Sequence, residues 1–122
     1  MSKILIIDDS PTIIDLLRTV LTSGGHEVLT ANDGVTGLNL AKEKRPDLII
    51  LDIMLPKMNG YEVCNLIKFD EKYKDIKILM LTAKAGAESK NIGYETGADE
   101  YMTKDLDPDK ILQVVKKMLQ DK

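Results

Sequence analysis

The chain has 122 residues, 43% of them hydrophobic and 30% charged, with a formal net charge of −3, a make-up that suits one globular domain with a real core but not two. The negative balance argues against direct nucleic-acid binding, and no apolar run approaches the ~18 residues of a membrane span. Met1-Ser2-Lys3 leads straight into a strand pattern rather than a signal peptide, so a cytoplasmic protein without membrane insertion is expected. The single Cys64 excludes an internal disulfide and a multi-cysteine metal site, and its place beside Leu66 and Ile67 assigns it to packing. His26 is also single and reads as structural, near a strand edge.

In chain order, short apolar runs alternate with helical patterns, the signature of a βα-repeating fold. Ile4-Leu5-Ile6-Ile7 is the first strand and ends in Asp8-Asp9. Ser10 can cap the following helix and Pro11 takes its first position; Ile13, Leu16, Leu17, Val20 and Leu21 then recur at helical spacing until Gly24-Gly25 stops it. His26 to Ala31 alternates like a shallower strand nearer an edge. Asn32-Asp33-Gly34 leads into a second helix carrying Val35, Leu38, Leu40 and Ala41, closed off by Pro46. Leu48-Ile49-Ile50-Leu51 is a continuous apolar run, the mark of a central strand buried on both faces, and it delivers Asp52 at its carboxyl end.

The Pro56 to Gly60 loop follows, then a third helix with Val63, Leu66, Ile67 and Phe69 as its apolar residues. A charged loop over 70–75 precedes a fourth strand, Ile76 to Leu81, which runs out into Thr82-Ala83-Lys84. The helix expected over about 87–96 is the weakest: Ile92 and Tyr94 are its large apolar residues and Gly93 lies in its middle. A short fifth strand, Glu100-Tyr101-Met102, leads to Thr103-Lys104-Asp105-Leu106. Asp107 and Pro108 open a last helix packed through Ile111, Leu112, Val114, Val115, Met118 and Leu119. Right-handed crossovers make five such strands and five helices a doubly wound α/β sheet.

In that architecture the carboxyl ends of the strands share one edge, which gathers Asp8, Asp9, Asp52, Thr82 and Lys104. Singly, each has a plain reading: an acid pair opening a loop, a Thr ending a strand, a surface Lys. Together they describe crowded carboxylates that a cation would relieve, and an all-oxygen donor set favours a hard ion, Mg²⁺ before Ca²⁺. Lys104 and the Thr82 hydroxyl could support an anion carried on Asp52.

The set Asp8-Asp9-Ser-Pro, Leu-Asp52-Ile-Met-Leu-Pro56-x-Met-x-Gly60, Leu-Thr82-Ala83 and Tyr101-x-x-Lys104 resembles the receiver domain of two-component response regulators, in particular the stand-alone chemotaxis type. The resemblance spans the whole chain and implies one domain over residues 1–122 with the parallel sheet order 2-1-3-4-5. It implies that Asp52 accepts a phosphoryl group from a histidine kinase or phosphotransfer protein. Asp9, Asp52 and the main-chain carbonyl of Met54 would ligate Mg²⁺, with Asp8 helping directly or through water, and Lys104 and Thr82 would bind the phosphoryl oxygens. Tyr101 matches the aromatic that changes rotamer on activation, and a downstream protein would be met by the face of the fourth helix, fifth strand and fifth helix, around Tyr94, Tyr101, Lys116 and Lys117.

Two positions depart from the family pattern. Asp105 stands where a proline in a cis peptide bond is usual, and Leu106 where an aromatic is frequent. Without proline a cis bond costs roughly 2.5–4 kcal/mol, so the Lys104–Asp105 bond is expected to be trans and Lys104 less firmly held. Other functions fit less well. A haloacid-dehalogenase-type phosphatase would need an acid at Met54, a flavodoxin-like carrier would not place Asp8-Asp9 against a phosphate, and no helix opens with a dinucleotide-binding glycine pattern. The remaining rival is a degenerate receiver, a protein-interaction module independent of phosphorylation, which Asp105 favours and the intact acids oppose.

Overall fold

The computed structural model describes residues 2–82, 97–103 and 107–120. Five strands form one parallel sheet: β1 Lys3–Ile7, β2 Glu27–Ala31, β3 Leu48–Leu51, β4 Lys77–Thr82 and β5 Glu100–Thr103, in the spatial order β2-β1-β3-β4-β5. The described helices are α1 Pro11–Ser23, α2 Gly34–Lys44, α3 Gly60–Lys68 and α4 Pro108–Gln120. The helix expected over 87–96, with Tyr94, lies outside the described residues, as does the Lys104-Asp105-Leu106 segment. The predicted boundaries of four strands shift by one residue: β1 begins at Lys3, β2 begins at Glu27, β4 runs from Lys77 to Thr82, and β5 extends to Thr103.

Both sheet faces are covered, and this explains why the central strands read as unbroken apolar runs. Leu5, Ile7, Ile49, Leu51, Ile78 and Met80 pack on one side with Leu38 and Ala41 of α2 and Val63, Cys64 and Ile67 of α3. Ile4, Ile6, Leu48, Ile50, Leu79 and Leu81 pack on the other with Leu17, Val20 and Leu21 of α1 and Ile111, Val115 and Met118 of α4. Successive residues of β1 and β3 therefore serve opposite layers, as the period of two demands. Cys64 is fully buried, in keeping with a packing role. Two apolar residues of the third helix are not: Leu66 is 44% and Phe69 68% exposed. α3 spans only Gly60–Lys68, and Val63, Cys64 and Ile67 already fill its inward stripe; Phe69 is its C-cap rather than a packing residue.

Local cap chemistry sets the helix starts. Ser10 Oγ accepts from the Ile13 N–H at 3.4 Å, Asp33 Oδ1 from Thr36 at 2.7 Å, Asn59 Oδ1 from Glu62 at 3.0 Å and Asp107 Oδ1 from Asp109 at 3.0 Å. Gly25 takes φ +88° just after α1, a left-handed turn that other residues resist. Gly60 has a different reason to be glycine: a Cβ there would collide with the main-chain carbonyl of Asp52. Gly60→Ala should therefore lower stability by about 1–3 kcal/mol or more in urea unfolding, because the obstacle is backbone that cannot rotate away. Asn59→Ala, which removes one cap bond from the same turn, should lose only about 1 kcal/mol. Equal losses from the two changes would contradict this account of the loop.

Candidate functional site

The site is built on the carboxyl ends of β1 and β3. These strands are neighbours, and their ladder continues one step past the sheet: the Asp52 N–H donates to the Ile7 carbonyl at 2.9 Å, and the Asp8 N–H to Ala31 of β2 at 3.1 Å. Asp8 and Asp52 are thereby fixed side by side as each strand ends. Both are buried, 2% and 5% exposed, whereas the next residue along, Asp9, is open to solvent. One carboxylate oxygen from each of Asp8, Asp9 and Asp52 can be chosen so that all lie within 4.8 Å of one another.

Backbone donors orient the two buried acids. Asp8 Oδ1 accepts the Ser10 N–H at 2.9 Å, and Asp52 Oδ1 faces the Met54 N–H at 3.4 Å. Loop Ile53 to Asn59 folds back over β3 through a bond from the Gly60 N–H to the Ile53 carbonyl, 2.9 Å. The Met54 side chain points outward, 62% exposed, so only its main chain belongs to the site. Three oxygen donors in one cluster fit a small hard dication, and the chemistry of the donor set matches Mg²⁺.

Thr82 is the last residue of β4, in register with Thr103 of β5, which sets its backbone at the same sheet edge as Asp52. Lys104 follows β5 directly and lies outside the described residues. Tyr101 is 8% exposed and belongs to the core cluster on the α2/α3 side, so it is not a solvent-facing edge aromatic. Burial, with a smaller contribution from Tyr61, pushes its phenol above the ordinary value.

One part of the surroundings was not read from the sequence. The N-terminus of α2 packs against the loop after β3: the Gly34 N–H donates to the Pro56 carbonyl at 3.2 Å, and a Cβ on Gly34 would strike the Met58 carbonyl. Lys57 adopts φ +68° and sets its ammonium 3.9 Å from Asp33 Oδ2. The Pro56-Lys57-Met58-Asn59-Gly60 composition signalled a turn, but not that the left-handed residue would be Lys57.

A doubly wound parallel sheet carrying an acid cluster at the carboxyl ends of its first and third strands defines a flavodoxin-like domain with an acidic edge. Residues 4–116 match the response regulator receiver domain family, and the chain belongs to that family. It is 45% identical over 119 residues to the DNA-binding dual master transcriptional regulator RpaA of Synechocystis, covering 98% of this chain and 49% of that protein. It is 34% identical to protein PilH of Pseudomonas aeruginosa, covering 98% of each. The chain thus spans about half the length of the transcriptional regulators it matches. Among solved structures, the chemotaxis protein CheY4 of Vibrio cholerae superposes with a TM-score of 0.90 at 35% identity, over 97% of this chain and 98% of that one. Accepting a phosphoryl group is the general role of receivers, and as a class they bind Mg²⁺ in an acidic pocket and interact with histidine kinases or phosphotransfer proteins. No described helix is long and apolar enough to cross a membrane.

The Asp33 cap beside the site should be visible in the acid limb of stability. The Thr36 backbone N–H foremost, then the Thr36 hydroxyl and Lys57, hold its carboxyl below the ordinary 3.8, against the opposing effect of burial. A depressed folded-state value means that the ionised cap stabilises the fold above the ordinary carboxylate range, and that this contribution is lost as pH falls through the folded value. Asp33→Ala should therefore be less stable than the parent at neutral pH, with the gap closing in strong acid. A gap independent of pH would show that the carboxylate charge plays no part.

Proposed function

We propose that this protein is the phosphoacceptor of a two-component pathway, with Asp52 taking the phosphoryl group from a histidine kinase or phosphotransfer protein. The observation that carries the proposal is the convergence of Asp52 with Asp8 and Asp9, acids from two separate strand ends whose oxygens come within 4.8 Å. In an in-line transfer a carboxylate oxygen of Asp52 forms the new O–P bond as the P–N bond of the donor phosphohistidine breaks, and the imidazole leaves with the electron pair. Asp9, Asp52 and the Met54 carbonyl, with Asp8 directly or through water, would hold Mg²⁺, which when bound offsets the negative charge of phosphoryl oxygens and carboxylates together. Lys104 and Thr82 are given the phosphoryl oxygens, as the resemblance of Leu-Thr82-Ala83 and Tyr101-x-x-Lys104 to receivers implies. The reacting group is the protein's own side chain, so it promotes its own phosphorylation and dephosphorylation rather than turning over as an enzyme.

The signal would leave through a target protein docked on β5, α4 and the segment between β4 and β5. A stand-alone, chemotaxis-type regulator is supported by the full-length similarity to PilH and to CheY4. A receiver coupled to a DNA-binding output is the second reading, favoured by the 45% identity to RpaA. In both, these 122 residues with net charge −3 act on protein rather than on nucleic acid.

Incubation with a small acyl phosphate and Mg²⁺, followed by intact mass measurement, should give one phosphoryl adduct that Asp52→Asn abolishes while the fold is retained. An adduct that survives Asp52→Asn would defeat the assignment. A folded parent that takes no adduct from the acyl phosphate or from a kinase would favour the phosphorylation-independent module. Binding only the folded state, Mg²⁺ should also raise the melting temperature, by an amount equivalent to about 2.7 kcal/mol at a hundredfold excess over its Kd. In Asp9→Ala that Mg²⁺ dependence should largely vanish; if it is unchanged, the ion binds elsewhere.

A further inference from the structure

At the amino edge of the sheet, the end remote from the acid cluster, lies a groove of about 550 Å³ between the end of α2, the turns after α3 and the first residue of β4. This is the size range of small-molecule sites and larger than a bare oxyanion needs. Five cations and three carboxylates line it, but they are not equally available. Asp47 accepts the Lys3 N–H at 2.8 Å, and Asp99 accepts both the Lys68 ammonium at 2.9 Å and the Ile78 N–H at 2.8 Å. Lys68 is further held by the carbonyls of Lys74 and Ile76, at 2.8 and 3.0 Å, and Lys74 pairs with Glu71 at 3.0 Å.

Three cations are left, Arg45, Lys72 and Lys77, against Asp75. Among the described residues none of these three has a carboxylate within ion-pair distance. In a chain whose net charge is −3, the groove is a local positive patch.

Arg45 is also held in place by its surroundings. It caps α2 in the left-handed region, φ 46°, where glycine or asparagine is usual. Its guanidinium lies 5.1 Å from the centroid of the Tyr73 ring, with the Lys42 ammonium 5.8 Å from the same centroid. A guanidinium resting on a ring loses less freedom on binding, and its N–H fork matches phosphate oxygens. The Tyr73 ring and the guanidinium plane are both surfaces on which a nucleobase can stack.

We propose that this amino-edge groove binds a nucleoside phosphate, with its phosphate on Arg45, Lys72 and Lys77 and its base against the Tyr73–Arg45 wall. The site is separate from the acid cluster and needs no divalent metal. Titrating the full chain with AMP and, separately, with inorganic phosphate, in a chelator at low salt, tests it by amide chemical shifts and calorimetry. AMP should bind saturably, move resonances at Arg45, Lys72, Tyr73 and Lys77, and weaken as salt is added. Arg45→Gln and Lys77→Gln should each weaken it roughly tenfold, while Lys116→Gln on the exposed side of α4 leaves it alone. No saturable AMP binding would overturn the proposal, as would shifts gathered around Asp9 and Asp52. So would equal affinity for inorganic phosphate, or undiminished binding in an Arg45→Gln variant that circular dichroism shows to be folded.

Discussion

Asp52 is held in place by the strand behind it, and the rest of the site follows from that constraint. All four residues of β3 are at most 1% exposed, two packing against each layer of helices, and each such side chain contributes about 1.5–3 kcal/mol on burial. A one-residue slip would exchange the side chains presented to two differently shaped layers and break the ladder to β1 and β4, so the strand has one position open to it. That position ends with the Asp52 N–H on the Ile7 carbonyl, beside the buried Asp8. The core thus brings carboxylates together at one edge, where a bound cation would offset their mutual repulsion.

The same logic extends to α3, a helix of nine residues that touches both ends of the sheet. Its first residue, Gly60, sits against the Asp52 carbonyl with no room for a side chain. Its last, Lys68, places a largely buried ammonium on the carbonyls of the following turn and on Asp99 just before β5. Asp99 in turn receives the Ile78 N–H at the start of β4. The two strands carrying Thr82 and Tyr101 are therefore fastened at their amino ends.

Much of this was legible in the residues alone. Unbroken runs in β1, β3 and β4 announced strands covered on both faces, Ser10, Asp107 and Pro11 announced helix starts, and the strand ends placed Asp8, Asp9 and Asp52 on one edge. The order of the strands came from the resemblance to receivers, because periodicity shows which faces are buried but not which strand lies beside which. Leu66 and Phe69 misled for a related reason: helical spacing marks residues able to face a core, while the length of the helix and the partners it meets decide which of them do.

The sequence by itself determined the α/β class, the central strands, the helix caps and the acids brought to the carboxyl edge, since these depend on side-chain period, turn chemistry and a topology common to all such sheets. Only the tertiary structure decided that Gly60 and Gly34 are sites of backbone contact, that Lys57 and Arg45 take left-handed conformations, that Tyr101 is buried and that a basic groove opens at the amino edge. The residues of that groove come from the end of α2, the turns after α3 and the start of β4, and no local pattern links them. Their meeting is set by how distant segments pack, which short-range propensity does not encode.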